Sequence, residues 1–428
     1  MKSVAFCTLG CKVNQYETEA MLELFLKAGY TEAAFDDFAD IYVVNTCTVT
    51  AMSDRKSRQM IRRAKRLNPD AYLIVCGCYA QTAPEDVRKI EGVDLVLGTQ
   101  DRGKIVELAE KGAKSCAVHS ISRTHDFEKL SISTRAHRAR AQVKIQDGCN
   151  QFCTYCIIPY ASGPIRSRPV TDIINESRRL TAAGFCEITY VGIHVASYGF
   201  DTRECGLAEL LQKLDTVDGL RRIRLSSIEP MYLSSEFCEK IKDCKKLCPH
   251  FHLSLQSGCD ATLARMNRRY TTAEYKSIVD GLRAHFPDCA ITTDIMTGFP
   301  GETDAEFAET VDFVKSVGFA DAHIFQYSRR KGTPADKMPG QVAHEVKHER
   351  SKILAGICAA SRDEFISRYL NKPAEVFFED KNGGYYEGKT ANYITVLCKS
   401  NEDLCGSFKV VTPTAMRDGM LIAGLGEV

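Results

Sequence analysis

The sequence predicts an α/β protein of three domains: an open parallel sheet, a partial (β/α)6 barrel and a small antiparallel β-barrel. Three observations predict this architecture. Strand-like and helix-like runs alternate over residues 1–118, and six further strand-plus-helix units occupy residues 141–367. Short strands separated by turn residues fill residues 368–428, a length that suits an OB-like module. Residues 119–140, rich in Ser, Arg and His, are interpreted as a linker.

The elements of the first domain follow from local patterns. A helical pattern places Ala20, Leu24 and Ala28 on one face and ends at Gly29, and a basic amphipathic helix over residues 55–67 stops before Pro69. Short apolar runs predict strands at residues 4–7, 41–44, 72–75 and 94–97.

The same reading extends through the other two domains. Predicted barrel strands cover residues 142–145, 187–191, 222–226, 252–255, 291–295 and 321–325. Helices fit between them at residues 171–183, 207–214, 272–284 and 304–317. Strands of the last domain are expected at residues 374–378, 384–390, 393–398, 407–412 and 421–425.

Composition limits the possible classes of protein. The 428 residues exceed one ordinary core, and 44% hydrophobic with 26% charged residues is typical of a globular protein. No apolar run approaches the ~20 residues of a membrane helix, and no signal segment follows Met1, so a cytoplasmic protein is expected. Because cytosolic thiols stay reduced, the 19 cysteines indicate metal ligands, catalytic thiols or buried packing rather than disulfides.

The strongest motif is a run of three cysteines at Cys149, Cys153 and Cys156. It directly follows the first predicted barrel strand, at the end where barrel enzymes build their active sites. Three thiolates on one loop can hold three irons of a 4Fe–4S cube and leave the fourth iron open to an exogenous ligand. A zinc site is the alternative, but zinc favours four ligands in paired spacings.

Three more cysteines follow strands of the N-terminal sheet. Cys11, Cys47 and Cys78 come after the first three predicted strands, and Gly10 and Gly77 precede two of them. Since the carboxyl ends of parallel strands share one edge, these thiols should converge and could hold a second such cluster. Buried packing is the alternative for them, and it is the preferred interpretation for the remaining cysteines.

Residues 148–156 closely resemble the signature of the radical S-adenosylmethionine (SAM) superfamily. The resemblance implies that the open iron chelates the amino and carboxylate groups of SAM. Electron transfer from the cluster would then release a 5′-deoxyadenosyl radical. Tyr155 occupies the aromatic position that packs near the adenine of this cofactor.

The whole chain resembles the methylthiotransferases within that superfamily. The similar motifs lie at residues 10–14, 45–47, 77–81, 252–258, 265–270 and 294–303, and the tail takes the place of the RNA-binding TRAM domain. The resemblance implies two 4Fe–4S clusters, SAM, and the anticodon stem-loop of tRNA as a partner. It also implies an electron donor such as flavodoxin or ferredoxin and a sulfur source. We expect a monomer.

Residues 159–168 and 192–199, with Lys12-Val13, look most like the branch that methylthiolates N6-threonylcarbamoyladenosine at position 37. Ser162 departs from the Arg expected in that branch. Three alternatives remain open. Two are other methylthiotransferase activities, on isopentenyladenosine or on a ribosomal-protein aspartate. The third is an electron carrier with two clusters. A zinc-containing RNA-binding protein is a further alternative.

Candidate site residues complete the prediction. No side chain is assigned a catalytic role. The resemblance implies that the reaction removes the hydrogen on carbon 2 of adenine, which is not acidic, so a radical rather than a base is needed. Their places at strand ends and in motifs suggest that six residues contact the cofactor: Tyr155, Gly192, Ser254, Gln256, Asp294 and Gly298. Basic residues suggest as RNA contacts Arg62, Arg63, Arg166, Arg168 and Arg329, with further clusters at Arg135, Arg138, Arg140 and Arg330.

Overall fold

The computed structural model describes residues 1–112, 114–133 and 140–424. Its N-terminal domain is one parallel six-stranded sheet in the order β2-β1-β3-β4-β5-β6, as the alternation of strands and helices predicts. Two short strands, β2 and β6, escaped prediction because neither contains an apolar run. The strands are β1 Ser3–Thr8, β2 Thr31–Ala33, β3 Ile41–Thr46, β4 Tyr72–Gly77, β5 Leu95–Leu97 and β6 Ser115–Ala117.

Helices cover both faces of this sheet, so each face has its own apolar core. Thr50 caps the basic helix by accepting a hydrogen bond of 3.1 Å from the Ser53 amide, which satisfies one free donor of the first turn. The helices are α1 Lys12–Lys27, α2 Ala51–Leu67, α3 Cys78–Thr82, α4 Pro84–Arg88 and α5 Ile105–Glu110.

The central domain is a partial barrel, which confirms the predicted architecture. Its strands form the sheets β10-β9-β7-β8 and β11-β12-β13, joined by parallel bridges from Ile223 to Leu247 and from Ile228 to Leu253. Six strands are parallel, and only the short β8 runs antiparallel to β7. The strands are β7 Ala141–Asp147, β8 Arg166–Ser167, β9 Glu187–Gly192, β10 Arg222–Leu225, β11 His250–His252, β12 Ala290–Thr297 and β13 Asp321–Gln326.

The barrel helices pack their apolar faces on the outward side of these strands and enclose the largest core of the molecule. Capping boxes at Thr271 and Thr303 start α11 and α12, each with a Glu three residues later. The helices are α6 Ile158–Ser162, α7 Val170–Ala182, α8 Leu207–Asp215, α9 Ser235–Ile241, α10 Asp260–Arg265, α11 Thr272–His285, α12 Asp304–Val317 and α13 His344–Ser367.

The C-terminal domain is a closed five-stranded barrel in the order β14-β15-β16-β18-β17. Four of its strand pairs are antiparallel, as the sequence predicts, and the closing pair of β16 and β18 is parallel. The predicted last strand reached residue 425, which lies outside the described residues. The strands are β14 Ala374–Asn382, β15 Tyr385–Thr390, β16 Thr395–Lys399, β17 Phe408–Arg417 and β18 Met420–Gly424.

Two arginines of β10 join this barrel to the central domain. Arg222 donates hydrogen bonds to the carbonyls of Lys389 and Glu375, and Arg224 donates to those of Ala391 and Thr390. Among the described residues, no helix combines the length and the apolar character that crossing a bilayer requires.

Candidate active site

The three N-terminal thiols follow three neighbouring strands at the carboxyl edge of the sheet. β1 pairs with β3, and β3 pairs with β4, so Cys11, Cys47 and Cys78 emerge side by side. Cys11 immediately precedes α1, and Cys78 opens α3. A Cβ placed on Gly10 would lie 3.0 Å from Cys47 Cβ and 3.2 Å from its Sγ. The loops that carry Cys11 and Cys47 are therefore in direct contact.

Two asparagines hold these loops together. The Asn14 amide donates hydrogen bonds to the carbonyls of Leu9 (2.9 Å) and Thr46 (3.0 Å), and the Asn45 amide donates to the carbonyl of Asn14 (3.0 Å). The Cys11 thiol donates to Asn14 Oδ1 over 3.4 Å. Because Asn14 touches the chain beside both Cys11 and Cys47, it fixes the relative position of the two thiols.

The barrel thiols lie on the loop that leaves β7. Gly148 has a φ of 74°, and a Cβ there would overlap the carbonyl oxygen of Pro164. The Cys149 amide donates to the carbonyl of Gly163 (2.9 Å), and the Cys156 amide donates to that of Cys153 (2.9 Å). This tight turn brings the three thiols together at the carboxyl end of the first barrel strand.

Arg268 is a buried cation beside these thiols that sequence reasoning did not assign to the site. Its guanidinium donates to Cys153 Sγ (3.5 Å), to the Glu229 carboxylate (2.8 Å) and to the carbonyl of Ser254 (2.9 Å). The only signal in the sequence was its place in the motif at residues 265–270. It ties the thiol loop to the strand end that carries Ser254.

Burial governs the ionisation of the thiols. Burial, with a smaller contribution from neighbouring thiols, raises the pKa of Cys149 to about 11 and that of Cys156 to about 12. Burial also raises the pKa of Cys11 and that of Cys78. These thiols therefore keep their protons at neutral pH unless a metal displaces them.

The donor sets fit iron–sulfur clusters. The six cysteines of the two sets are free thiols, and each set contains only thiols, the ligands that iron–sulfur clusters require. In the described part of the chain, no three His, Cys, Asp or Glu side chains are spaced for a single metal ion. A cluster of several irons separates its thiolates more widely than one ion does, so the two thiol sets remain compatible with a cluster.

A cavity of about 760 Å³ lies between the three domains. Cys11 and Lys12 line it from the N-terminal domain, and Tyr393 lines it from the C-terminal barrel. The central barrel contributes residues that include Ile158, two positions after Cys156. Of the six thiols Cys11 lines this space directly, and the loop of the barrel thiols reaches it at Ile158; its volume suits a nucleoside-sized ligand.

The six residues predicted to contact a cofactor differ in their position relative to this cavity. Gly192 and Asp294 line this cavity. Gln256 is buried with a φ of 68°, and its Oε1 has no hydrogen-bond partner among the described residues. A buried orphan acceptor of this kind fits a ligand that donates a hydrogen bond.

The other three, Tyr155, Ser254 and Gly298, are not among the residues that line the cavity. Each makes contacts with other residues of the protein. The carbonyl of Ser254 accepts hydrogen bonds from Arg268 and Tyr270. The ring of Tyr155 packs edge-on against Phe299 with centroids 6.4 Å apart. Gly298 has a φ of 68°, and its amide donates to the Glu302 carboxylate.

A buried charge network connects the two thiol-bearing elements. Glu17 of α1 pairs with Lys144 of β7 at 2.6 Å and with Arg102, and Lys144 also pairs with Asp147 at 2.7 Å. Burial alone would raise the pKa of Asp147, but Lys144 and the arginines around it hold that pKa well below its usual range. α1 begins beside Cys11 and β7 ends beside Cys149, so the network fixes one thiol set relative to the other.

Burial contradicts part of the predicted RNA surface. Arg166 is buried and pairs with Asp147 at 3.0 Å, and Arg168 is buried and pairs with Glu176. Both predictions of phosphate contact are wrong, because each guanidinium is already neutralised inside the protein. Arg330 is buried as well and binds Asp54 and Thr48 next to Cys47.

Three other predicted RNA residues, Arg62, Arg63 and Arg329, are exposed. Arg62 and Arg63 lie on the outer face of α2, where Arg63 pairs with Asp36, and Arg329 pairs with Asp336. Arg140 is engaged by Glu187 and Glu379. Arg135 and Arg138 lie outside the described residues.

Known proteins are similar to this chain in sequence and in fold. Residues 3–98 match the Uncharacterized protein family UPF0004, and residues 143–314 match the Radical SAM superfamily. The structure resembles that of the radical S-adenosylmethionine methyltransferase TsrM from Kitasatospora setae. The TM-score is 0.60, with 15% identity, over 78% of this chain and 75% of that one.

Relatives of much higher identity cover nearly the whole chain. The threonylcarbamoyladenosine tRNA methylthiotransferase MtaB of Bacillus subtilis (strain 168) is 43% identical over 98% of this chain and 95% of that protein. The tRNA-2-methylthio-N(6)-dimethylallyladenosine synthase of Acetivibrio thermocellus is 35% identical over 95% of this chain and 87% of that protein. With both matched regions and the two thiol sets in place, the chain belongs to the radical S-adenosylmethionine methylthiotransferase family.

Proposed function

We propose that this enzyme converts N6-threonylcarbamoyladenosine at position 37 of tRNA to its 2-methylthio derivative. The observation that carries the proposal is the cavity of about 760 Å³, to whose walls the regions around both thiol sets contribute. Relatives named for this reaction, from three bacteria, are 37–43% identical to the chain over most of its length. The relatives named for the dimethylallyl nucleoside are 34–36% identical.

Membership of the family implies SAM and one 4Fe–4S cluster as cofactors. We assign that cluster to Cys149, Cys153 and Cys156, and a second cluster to Cys11, Cys47 and Cys78. When bound, these groups supply a carbon radical able to remove the hydrogen on carbon 2 of adenine, and a site for the sulfur to be inserted. The two all-thiol sets at the carboxyl edges of two parallel sheets support this assignment.

The remaining task of the protein is to position the reactants and exclude water. Gly192 and Asp294 on the cavity wall and the orphan Oε1 of Gln256 are proposed contacts for SAM. Tyr155, Ser254 and Gly298 are also proposed contacts for SAM, in the neighbourhood of the loop that carries Cys149, Cys153 and Cys156. Arg268 is proposed as a positioning residue, because it holds both Cys153 and the carbonyl of Ser254.

Residues 1–118 are proposed as the domain of the second cluster, and residues 141–367 as the radical SAM barrel after the linker at 119–140. Residues 368–428 are proposed as a TRAM-like RNA-binding domain. The exposed residues Arg62, Arg63 and Arg329 are proposed phosphate contacts for the anticodon stem-loop. An electron donor such as flavodoxin or ferredoxin, a sulfur source and a monomeric state complete the proposal.

The test is turnover on three synthetic anticodon stem-loops that differ only at position 37. They carry N6-threonylcarbamoyladenosine, isopentenyladenosine or plain adenosine, and the reconstituted protein is supplied anaerobically with SAM, dithionite and sulfide as the sulfur source. We expect a methylthio product, detected by mass spectrometry of the nucleosides, only with the first RNA, and none with the Cys153→Ala variant. Modification of the isopentenyl RNA in preference to the first would overturn the proposed substrate.

A further inference from the structure

Positively charged side chains gather around one aromatic residue of the cavity wall, Tyr393. Four cations lie around the ring of Tyr393, which the C-terminal barrel inserts beside the central barrel. The distances to the ring centroid are 5.9 Å for Lys12 Nζ, 5.5 Å for Arg140, 4.9 Å for Arg224 and 5.4 Å for Lys389 Nζ. Burial would raise the pKa of Tyr393, but these four cations together lower it.

The ring itself is held in a fixed place. Tyr393 has a φ of 73°, a conformation that a non-glycine residue adopts only where its surroundings enforce it. The ring stacks on that of His250 with centroids 4.7 Å apart and planes 11° from parallel. Tyr393 and His250 therefore form a stacked pair in the cavity wall, and the Lys12 ammonium lies over the Tyr393 ring.

Three of the four cations already have carboxylate partners. Arg140 pairs with Glu187 and Glu379, and Arg224 pairs with Glu187 at 2.6 Å. Lys389 pairs with Glu387 at 3.6 Å. These charges are compensated inside the protein and do not require a ligand.

Lys12 differs from them. In the described part of the chain no carboxylate lies within salt-bridge distance of its ammonium, and its side chain is exposed to the cavity. The carboxylates that also line the cavity, Asp294 and Asp321, belong to β12 and β13, and Asp294 is engaged by His252 at 3.1 Å. An anionic ligand is therefore favoured at the Lys12 side of the cavity and disfavoured at the side formed by β12 and β13.

We propose that Lys12 binds the carboxylate of the threonyl group of the substrate and thereby selects the anionic nucleoside over the isopentenyl nucleoside. The inference rests on the proposed function. The threonylcarbamoyl group carries a carboxylate, whereas the isopentenyl group is a hydrocarbon that would give the ammonium of Lys12 no anionic partner at the cavity wall. A site built for a charged group rejects an analogue that lacks it for this reason.

The test measures binding of two stem-loops by fluorescence anisotropy, without reductant, to the reconstituted protein. One RNA carries N6-threonylcarbamoyladenosine, and the other carries the same nucleoside with its carboxylate converted to the primary amide. Wild type should prefer the acid by about tenfold or more, the range expected for one charge-assisted hydrogen bond. Equal affinity of wild type for acid and amide would overturn the inference without any variant.

Variants then assign the preference to one residue. Lys12→Gln should bind acid and amide within about twofold of each other, and Lys12→Arg should retain the preference. Lys27→Gln, an exposed lysine at the other end of the same helix, is the matched control and should behave as wild type. A tenfold preference that survives in Lys12→Gln would overturn the inference.

Turnover separates this inference from the proposed function. If wild type methylthiolates the threonylcarbamoyl RNA but shows no preference for the acid, the inference fails and the proposed function stands. If wild type modifies only the isopentenyl RNA, the proposed function itself fails.

Discussion

Glu17 on α1 and Lys144 on β7 form an ion pair of 2.6 Å across the boundary between the N-terminal sheet and the partial barrel, and both side chains are buried. Glu17 also pairs with Arg102, which in turn pairs with Glu128 at 2.8 Å. The two thiol sets are thus placed relative to each other by largely buried charges. Such charges are expensive to bury singly, so the network is sensitive to the loss of any member.

Removing one charge of this network should destabilise the protein. We expect Glu17→Gln to lower the free energy of unfolding by about 3–5 kcal/mol, because it leaves Arg102 and Lys144 with too few partners in a buried site. Urea denaturation monitored by circular dichroism measures the change. Glu107→Gln, which neutralises an exposed carboxylate paired with Lys111, is the control and should leave the midpoint nearly unchanged. Equal midpoints for Glu17→Gln and wild type would contradict this account of the network.

The two thiol sets should separate two steps of the reaction. We expect Cys153→Ala to abolish reductive cleavage of SAM, because its cluster would lose one of three ligands. Cys47→Ala should retain cleavage and lose the methylthio product. Chromatography of 5′-deoxyadenosine, with mass spectrometry of the modified RNA, measures both. Full product formation by Cys47→Ala would contradict the assignment of a second cluster.

Arg330 should be needed for formation of the methylthio product, as Cys47 is. Its guanidinium binds Asp54 at 2.8 Å and Thr48 at 2.6 Å, and Thr48 directly follows Cys47. We expect Arg330→Gln to reduce the methylthio product about tenfold or more, since a charged hydrogen bond of ~1.5–3 kcal/mol is lost, while SAM cleavage persists. The exposed neighbour Lys331 provides the control variant Lys331→Gln. A parallel loss of cleavage and product in Arg330→Gln would argue against a specific role at the Cys47 loop.

The exposed face of α2 should contribute to tRNA affinity through phosphate contact. We expect Arg62→Gln to weaken binding and to reduce the slope of log affinity against log salt by about 0.7–0.9, the value for one lost phosphate contact. Titrations at several salt concentrations measure the slope. Arg178→Gln, on the exposed side of α7, should leave it unchanged. An unaltered slope for Arg62→Gln would remove this residue from the RNA surface.

Local patterns in the sequence were sufficient for much of the fold and for the convergence of the N-terminal thiols. β1, β3 and β4 each read as an apolar run followed by a cysteine, and parallel strands must end at one edge. α13 was missed because charged residues interrupt its apolar pattern, and β8 was missed because two residues carry no periodicity.

Long-range pairing could not be predicted in the same way. Arg166 and Arg168 read as phosphate contacts because a sequence shows their charge but not their partners, Asp147 and Glu176. The approach of Tyr393 to Lys12 joins residues from opposite ends of the chain, and only the packing of the three domains brings them together.

The most direct test of the central claim, two independent clusters, is the iron and sulfide content of anaerobically reconstituted protein. Wild type is compared with two triple variants, one with Cys149, Cys153 and Cys156 changed to Ala, the other with Cys11, Cys47 and Cys78 changed to Ala. We predict about eight irons in wild type and about four in each variant. About four irons in wild type, falling to none in the first variant and unchanged in the second, would contradict the claim.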